Sequence, residues 1–296
     1  MEITFLGTSG SIPTTKRNPP GVAIKVDGEI FLLDCGEGIQ KQFLLSKLSY
    51  MRIKNIVISH LHGDHFLGLS GLVQTMSFLG REEPVYIYTP KDSAKELKDY
   101  LDVGYYTLDF PVNIKGVSND EIKLEKLKLV FAETDHSVPT VACKIEEYTK
   151  RGKFNLDKAN KLGLKPGPEF SRLERGEKIT VGGKVISLED VVGPSRKGKS
   201  IVYSSDTRPC RNVVRLASEC DVLIHDSTFS HELKERALET FHSTARDSGE
   251  VALESKAKKL VLTHISPRYD GKELLEESKE VFKNTLLAQD LMKLKV

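Results

Sequence analysis

The sequence has few cysteines, and they show no pattern that would build a cross-link or hold a metal. Cys35, Cys143, Cys210 and Cys220 are scattered over 296 residues without a Cys-x-x-Cys pair. We therefore predict neither a disulfide framework nor a cysteine zinc site, and a reducing cytoplasm is the expected compartment.

The sequence also lacks a long apolar run and a marked net charge. No stretch approaches the roughly 20 apolar residues that cross a bilayer, and residues 1–5 read as a strand rather than an export signal. We expect no contact with a membrane. A net charge of +2 does not by itself indicate a polyanion as partner. The length and the 39% hydrophobic content predict one compact domain over residues 1–296 with an insertion.

The basic residues are concentrated in one segment, although the whole chain is nearly neutral. Residues 149–178 contain nine Lys or Arg against four acids, a surplus of five, so the remainder of the chain carries −3. The segment shows no apolar periodicity and is interrupted by glycine and proline between positions 163 and 176. We predict an inserted basic arm of functional or mobile character. A flexible surface insertion is the alternative.

Four side chains suited to metal binding follow a short apolar strand. Residues 56–58 predict a buried strand, and His60, His62, Asp64 and His65 follow within seven residues. Imidazole nitrogens and carboxylate oxygens are zinc ligands, and the first two histidines, two positions apart, point the same way. The other two side chains suit a second ion about 3.5–4 Å from the first. The alternatives are a solvated histidine-rich loop and a single structural site.

The same pattern recurs along the chain, because further apolar strands also end in histidine or aspartate. These residues are His136, Asp206, Asp226 and His264, and His242 lies in a loop before a helix. Strands alternate with helices in both halves, which predicts an α/β fold whose polar strand ends meet at one edge. His136 and His264 are also compatible with ordinary core or surface histidines, and Asp206 with a turn or helix cap.

Local patterns give three further predictions about secondary structure. Residues 1–35 are predicted to form an antiparallel meander of three strands, and residues 122–130 to form a single strand. A helix near residues 272–286 is predicted to close the chain.

Residues 60–65, His-Leu-His-Gly-Asp-His, resemble the signature of the metallo-β-lactamase superfamily. The resemblance implies an αβ/βα four-layer sandwich with two zinc ions per chain. It implies one ion on His60, His62 and His136, the other on Asp64, His65 and His264, and Asp206 as a bridge. Members that hydrolyse β-lactams generally have a cysteine near the bridging position and an export signal. The aspartate favours a phosphodiesterase or a thioesterase instead.

Three features resemble the ribonuclease Z family, the endonucleases that process transfer-RNA 3′ ends. They are the first loop (residues 13–18), the His-Ser-Thr loop (residues 242–244) and the basic arm, which resembles an exosite that projects and grips the transfer-RNA elbow. The substrate-binding residues that the resemblance implies are Lys16, Arg17, Asn18, Ser243, Thr244, Lys165, Gly167 and Pro168. A solvated turn and simple helix capping are the alternatives for the two loops.

The resemblance implies removal of the 3′ trailer from precursor transfer RNA by a homodimeric dizinc phosphodiesterase. Asp64 would orient or deprotonate the attacking water, and His242, held by Asp226, would protonate the departing 3′-oxygen. Asp226 departs from the family pattern, which commonly has glutamate, and it is one methylene shorter. The alternatives are a small-molecule phosphodiesterase or thioesterase with the same metal ligands, and an RNA-binding protein without turnover.

Overall fold

The computed structural model describes all 296 residues and divides them into two compact units. Unit 1 comprises residues 1–146 and 199–296, and unit 2 comprises residues 147–198. None of the helices has the length and apolar character needed to span a bilayer.

The first sheet of unit 1 contains seven strands in the order β16-β1-β2-β3-β4-β5-β6. They are β1 (Glu2–Gly7), β2 (Gly21–Val26), β3 (Glu29–Leu33), β4 (Ile53–Val57), β5 (Val85–Pro90), β6 (Val112–Val117) and β16 (Lys293–Lys295). The first three strands pair antiparallel, as predicted, and β3 to β6 pair in parallel. β16 pairs antiparallel with β1, so residue 295 lies opposite residue 2.

The second sheet also contains seven strands, in the order β15-β14-β13-β12-β9-β8-β7. They are β7 (Glu121–Lys123), β8 (Leu127–Glu133), β9 (Val141–Glu147), β12 (Ser200–Tyr203), β13 (Val222–Asp226), β14 (Leu260–Thr263) and β15 (Thr285–Leu287). β12 to β15 are parallel, which brings the carboxyl ends of β12, β13 and β14 to one edge.

Helices cover the outer face of each sheet, and a third apolar core lies between the sheets. The helices of unit 1 are α1 (Ile39–Ser46), α2 (Gly63–Phe66), α3 (Leu69–Phe78), α4 (Ala94–Leu101), α8 (Arg211–Leu216), α9 (Lys234–Glu239), α10 (Ala245–Glu254) and α11 (Lys272–Val281). The alternation of strand side chains places Val22 and Ile24 of β2 in the inter-sheet core, while Ala23 faces the helices. The predicted αβ/βα sandwich is confirmed.

Unit 2 has regular structure and an apolar core of its own. Its elements are α5 (Leu156–Lys161), α6 (Pro168–Glu174), β10 (Ile179–Val181), β11 (Lys184–Ile186) and α7 (Leu188–Val191). Its buried core consists of Ala159, Leu164, Leu173, Ile179, Ile186, Leu188 and Val191. The expectation of a segment without periodic packing was wrong, because elements this short contribute only one or two core residues each and leave no readable period.

Two local predictions were also wrong. Residues 122–130 do not form one strand but the hairpin of β7 and β8, in which residue 124 donates its amide to residue 127. The predicted helix 272–286 ends at Val281, and β15 begins at Thr285. Strands β6 and β16 were not predicted at all.

Candidate metal centre and active site

All seven predicted metal ligands lie together, at strand ends contributed by both sheets. The metal-compatible groups include His60, His62, His136 and Asp206 in one cluster and Asp64, His65 and His264 in another, each with ligand atoms within 4.8 Å of one another. The loops that carry them turn tightly, and Ser205 and His264 adopt the left-handed conformation at φ 57° and 58°. Such backbone conformations are uncommon outside glycine and concentrate at functional sites.

The first cluster consists of three histidines and the carboxylate of Asp206. His136 Nε2 and His62 Nδ1 are 3.2 Å apart, and His60 Nε2 lies 3.7 Å from Asp206 Oδ2. The edge of a tetrahedron of zinc ligands is roughly 3.3 Å when the Zn–N distance is about 2.0–2.1 Å. The spacing of the four groups therefore suits one ion.

The second cluster contacts the same aspartate oxygen. His65 Nε2 and His264 Nε2 lie 3.2 Å and 3.3 Å from Asp206 Oδ2, and each lies 3.4 Å from Asp64 Oδ2. Asp206 therefore stands between the two clusters, in the place that a bridging carboxylate would occupy.

Several buried polar atoms in this centre have no hydrogen-bond partner. They are His60 Nε2, His65 Nε2 and Asp206 Oδ1. A buried polar atom without a partner is costly, by about 1–3 kcal/mol in proteins, and it is uncommon in native structures. Metal ions held by the two clusters would satisfy these atoms, so the residues present fit a metal centre.

In three of the proposed ligand histidines, the ring nitrogen that does not face the cluster is held by a hydrogen bond. His60 Nδ1 lies 3.0 Å from Ser59 Oγ, and His136 Nδ1 donates to the carbonyl of Phe241 at 2.9 Å. His264 Nδ1 lies 2.8 Å from Thr228 Oγ1. Such contacts fix the orientation and tautomer of a metal-binding imidazole, which leaves the other nitrogen free for the ion.

Asp34, for which no role was predicted, holds the ring of a fourth histidine, His65. The Asp34 carboxylate is fully buried and lies 2.7 Å from His65 Nδ1. It also accepts hydrogen bonds from the hydroxyl groups of Ser59 and Tyr203, at 2.9 Å and 2.7 Å. A sequence signal existed, since Asp34 follows directly on β3, but its partners are contributed by distant parts of the chain.

The protonation of the histidines also suits metal binding. Burial lowers the pKa of His60, His62 and His136, which favours the neutral imidazole that a metal requires. His65 differs: burial lowers its pKa, but three aspartates, above all Asp206, raise it further than burial lowers it. A metal ion would displace that proton.

His242 and Asp226 form a pair beside the two clusters. His242 Nδ1 lies 2.8 Å from Asp226 Oδ2, and the His242 ring stacks on His264 with centroids 5.1 Å apart. Burial lowers the pKa of His242, but Asp226 raises it more, to about 9. Asp226 is itself buried and accepts hydrogen bonds from the amides of Thr207 and Thr228, at 3.1 Å and 3.0 Å. Its lone pairs are therefore occupied, and we assign Asp226 to His242 rather than to a metal.

The three predicted residues of the first loop have different environments. Lys16 is exposed, whereas Arg17 donates to Thr8 Oγ1 and to the carbonyl of Ala288, both at 2.7 Å. Asn18 donates its side-chain amide to the carbonyl of Glu37 at 2.8 Å. Arg17 and Asn18 thus anchor the loop to the body of unit 1.

Ser243 and Thr244 are fully buried. Ser243 Oγ donates to the carbonyl of Thr207 at 2.6 Å, and Thr244 is the N-cap of α10 in a capping box with Asp247. The capping alternative therefore describes Thr244, and both side chains shape the loop that presents His242.

The predicted arm residues lie at the start of α6 and in the turn that precedes it, within unit 2. Lys165, Gly167 and Pro168 are exposed, and Pro168 is the first residue of the helix. The side chains of Arg172 and Arg175 pair with Glu177 at 2.8 Å and 3.3 Å. Two of the basic side chains are thus paired with an acid of the same unit, which the surplus of five already takes into account.

Comparison with solved structures defines the class of the protein. The metallo-β-lactamase-fold protein YhfI from Bacillus subtilis has a TM-score of 0.72 and 17% sequence identity, over 99% of this chain and 98% of that chain. Human tRNase Z, short form, has a TM-score of 0.74 and 25% identity, over 100% of this chain and 99% of that chain. The protein is therefore of the metallo-β-lactamase fold, with a candidate metal centre at the expected sheet edge.

Sequence comparison gives the family. Ribonuclease Z of Methanosarcina acetivorans is 44% identical over 299 residues, which cover 100% of this chain and 98% of that protein. The chain belongs to the ribonuclease Z family. The predicted family and fold are confirmed, and endonucleolytic processing of transfer-RNA 3′ ends is supported over the small-molecule alternative. A family model described as anti-Pycsar protein Apyc1 also matches residues 1–146.

Proposed function

We propose that this chain binds two zinc ions and uses them to remove the 3′ trailer from precursor transfer RNA. The observation that supports this most directly is the position of Asp206, whose Oδ2 lies within 3.7 Å of ligand nitrogens in both clusters. When bound, two zinc ions would lower the pKa of a water molecule and neutralise charge on the phosphate oxygens.

Asp64 is placed to orient the attacking water or to accept its proton. Its Oδ2 accepts a hydrogen bond of 2.9 Å from the amide of Ser11, which fixes the carboxylate toward His65 and His264. These two histidines keep the pKa of Asp64 below its ordinary value, although burial acts in the opposite direction. The carboxylate therefore remains ionised at neutral pH.

His242 is the proposed general acid. Its Nδ1 is held by Asp226, which leaves Nε2 to donate a proton to the departing 3′-oxygen. The raised pKa of His242 keeps the ring protonated at neutral pH. The products would be a transfer RNA with a 3′-hydroxyl and a trailer with a 5′-phosphate.

Unit 2 is the proposed transfer-RNA exosite. Its residues 147–198 contain twelve Lys or Arg against seven acids, so it carries the whole surplus of five positive charges. Lys161 and Lys165 are exposed and make no ion pair. Basic side chains on such a unit bind phosphates without reading the base sequence. We further propose a homodimer, on the strength of the family resemblance, and a cytoplasmic location, on the strength of the scattered cysteines.

The test combines metal analysis with a panel of substrates. The purified protein should contain about two zinc ions per chain and should cleave a precursor transfer RNA endonucleolytically. It should turn over a model phosphodiester slowly and a thioester not at all. Efficient thioester cleavage with an inert precursor would overturn the proposal, and sedimentation velocity would test the dimer.

A further inference from the structure

Arg208 lies two residues beyond Asp206, the proposed bridge, and pairs with the residue that precedes the proposed ligand His136. The amide of Arg208 donates to the carbonyl of Asp135 at 2.9 Å, and the two residues form an isolated antiparallel bridge. The amide of Asp135 in turn donates to Thr207 Oγ1 at 3.2 Å. These contacts fasten the loop that carries Asp206 to the loop that carries His136.

The side chains of Arg208 and Asp135 form a bidentate ion pair at the same place. Nε and Nη2 of Arg208 donate to Oδ2 and Oδ1 of Asp135 at 3.0 Å and 2.8 Å. Two parallel hydrogen bonds of this kind fix the plane of the guanidinium as well as its distance from the carboxylate. The side chains are 30% and 43% exposed, so the charge attraction itself contributes little to stability. The effect of the pair is to hold the guanidinium in one position.

The guanidinium lies against the aromatic ring of Phe241, in the loop before α10. The Arg208 Cζ atom is 4.1 Å from the centre of that ring, which is a cation–π contact. Phe241 adopts the left-handed conformation at φ 60°. This conformation is uncommon for a bulky residue and persists only where the surrounding contacts impose it. The stacked guanidinium supplies such a contact.

The backbone of Phe241 connects this contact to two residues of the proposed reaction. Its carbonyl accepts a hydrogen bond of 2.9 Å from His136 Nδ1, and His242 is the next residue in the chain. The rings of His136 and His242 lie close together, with centroids 5.2 Å apart. The carbonyl of Phe241 and the amide of His242 belong to one planar peptide unit. A rotation of that unit would therefore release His136 Nδ1 and displace His242 together.

Arg208 is poorly placed to bind RNA itself, although it is a partly exposed cation near the metal centre. One edge of its guanidinium is occupied by Asp135, and Nη1 lies 3.5 Å from the carbonyl of Leu238. One face is covered by Phe241. Little of the group remains for the bidentate contact that arginine makes with a phosphate.

We propose that Arg208 is a positioning residue, which acts through Phe241 to hold the metal ligand His136 and the general acid His242 in their orientations. The inference rests on the proposed function and extends it, because it links the metal centre to proton donation through one peptide unit. Arg208 is not among the seven proposed ligands, and no sequence pattern identified it.

The kinetic test compares Arg208→Ala, Arg208→Lys and Asp135→Asn, each loaded with zinc, on a precursor transfer RNA. Each variant should lower kcat by about 10- to 100-fold and leave KM within about twofold of the wild type. Lysine should not restore kcat, because an ammonium keeps the charge but has neither the fork nor the planar face. The loss should be smaller for a nitrophenyl phosphodiester, whose leaving group needs no proton. Arg215→Ala, at an exposed arginine on α8, is the matched control and should retain wild-type values.

A second measurement is independent of turnover. Competition with a chromogenic chelator should show that Arg208→Ala binds one of its two zinc ions about tenfold more weakly, because His136 loses the carbonyl that orients it. Asp135→Asn should have the same effect. The double variant should lose no more than the larger single loss, in kcat and in zinc affinity, since the two side chains act as one unit.

The possible outcomes are distinct. An increased KM with a salt slope reduced by about one and an unchanged kcat would overturn the positioning role and make Arg208 an RNA contact. Wild-type kcat and zinc affinity in both Arg208→Ala and Asp135→Asn would overturn it as well. Unfolding temperatures show whether the variants fold, and if the alanine variant does not, Arg208→Lys and Asp135→Asn decide the question. A wild-type enzyme that fails to cleave the precursor would overturn the proposed function, while the zinc affinities would still test the action of Arg208 on His136.

Discussion

His242 Nδ1 lies 2.8 Å from Asp226 Oδ2, and this contact joins the loop before α10 to the carboxyl end of β13. The pair is formed even though Asp226 is one methylene shorter than the glutamate common in the family. The amides of Thr207 and Thr228 hold the same carboxylate. The shorter side chain is thus accommodated without loss of the contact to His242.

Replacing His242 with alanine should slow cleavage without removing the metals. We expect kcat to fall by roughly 10²–10⁴-fold, the usual contribution of a placed general acid. The loss should be much smaller for a nitrophenyl phosphodiester, because nitrophenolate departs without a proton. Equal losses on both substrates would indicate a structural role. Zinc content, measured by elemental analysis, is the control for an intact centre.

Asp226→Asn should move the alkaline side of the pH–rate profile. Asp226 raises the pKa of His242, and activity that needs protonated His242 is lost as the pH rises through that pKa. Without the carboxylate the pKa falls toward the ordinary value of about 6.5, so the falling limb should shift to lower pH. The profile of kcat/KM measures this. If the falling limb does not move, a group other than His242 is responsible for it.

Asp206→Ala should disturb both ions, because one oxygen of Asp206 faces ligands of both clusters. We expect fewer than two zinc ions per chain and loss of activity. Asp99→Ala, at an exposed aspartate on α4, is the control and should keep the metal content of the wild type. Two tightly bound zinc ions in the Asp206 variant would refute the bridging role.

Asp34→Asn should weaken metal binding although Asp34 does not face the ions. Loss of the partner that orients a metal-binding histidine typically lowers metal affinity 10–100-fold. Competition with a chromogenic chelator measures this affinity. An unchanged affinity would show that the contact between Asp34 and His65 does not contribute to metal binding.

Removal of unit 2 should impair cleavage of precursor transfer RNA far more than hydrolysis of a small phosphodiester. The excision should cover residues 147–198, since a cut at 150–178 would leave Ile179, Ile186 and Val191 without their core partners. Glu146 and Ser200 are paired opposite each other, so a short Gly-containing turn can join β9 to β12. We expect a steep rise in KM and a flatter salt dependence. A kcat/KM for precursor transfer RNA that stays at the wild-type value after excision would show that unit 2 is a passive insertion without a role in RNA binding.

Much of the fold was predictable because local patterns of apolar and polar residues determine many of its strands. The apolar run before His60 and the alternation in β2 specify strands whatever the rest of the chain does. β16 was not predictable in this way, since its three residues contain two lysines and its pairing partner lies nearly 300 positions away. The hairpin at 122–130 was missed because only two consecutive polar residues, Glu125 and Lys126, interrupt the alternation at its turn, and the turn contains neither glycine nor proline.

In the candidate site, too, the features that depend on local sequence were predictable and those that depend on distant residues were not. His60, His62, Asp64 and His65 are adjacent in the sequence, so the residue types alone identify them. The contacts that orient them were not predictable, because Asp34 reaches His65 across 31 positions and Tyr203 reaches Asp34 across 169.

The order of the ligands along the chain has a consequence for synthesis. His60 is made early, but His264 follows 204 positions later, and the sheet that supports His60 gains β16 only after that. A nascent chain that stops before His264 has six of the seven proposed ligands and an incomplete second cluster. Since chains grow at roughly 5–20 residues per second, this interval lasts on the order of ten to forty seconds. The first cluster therefore has all its proposed ligands once Asp206 is made, 58 positions before His264 completes the second.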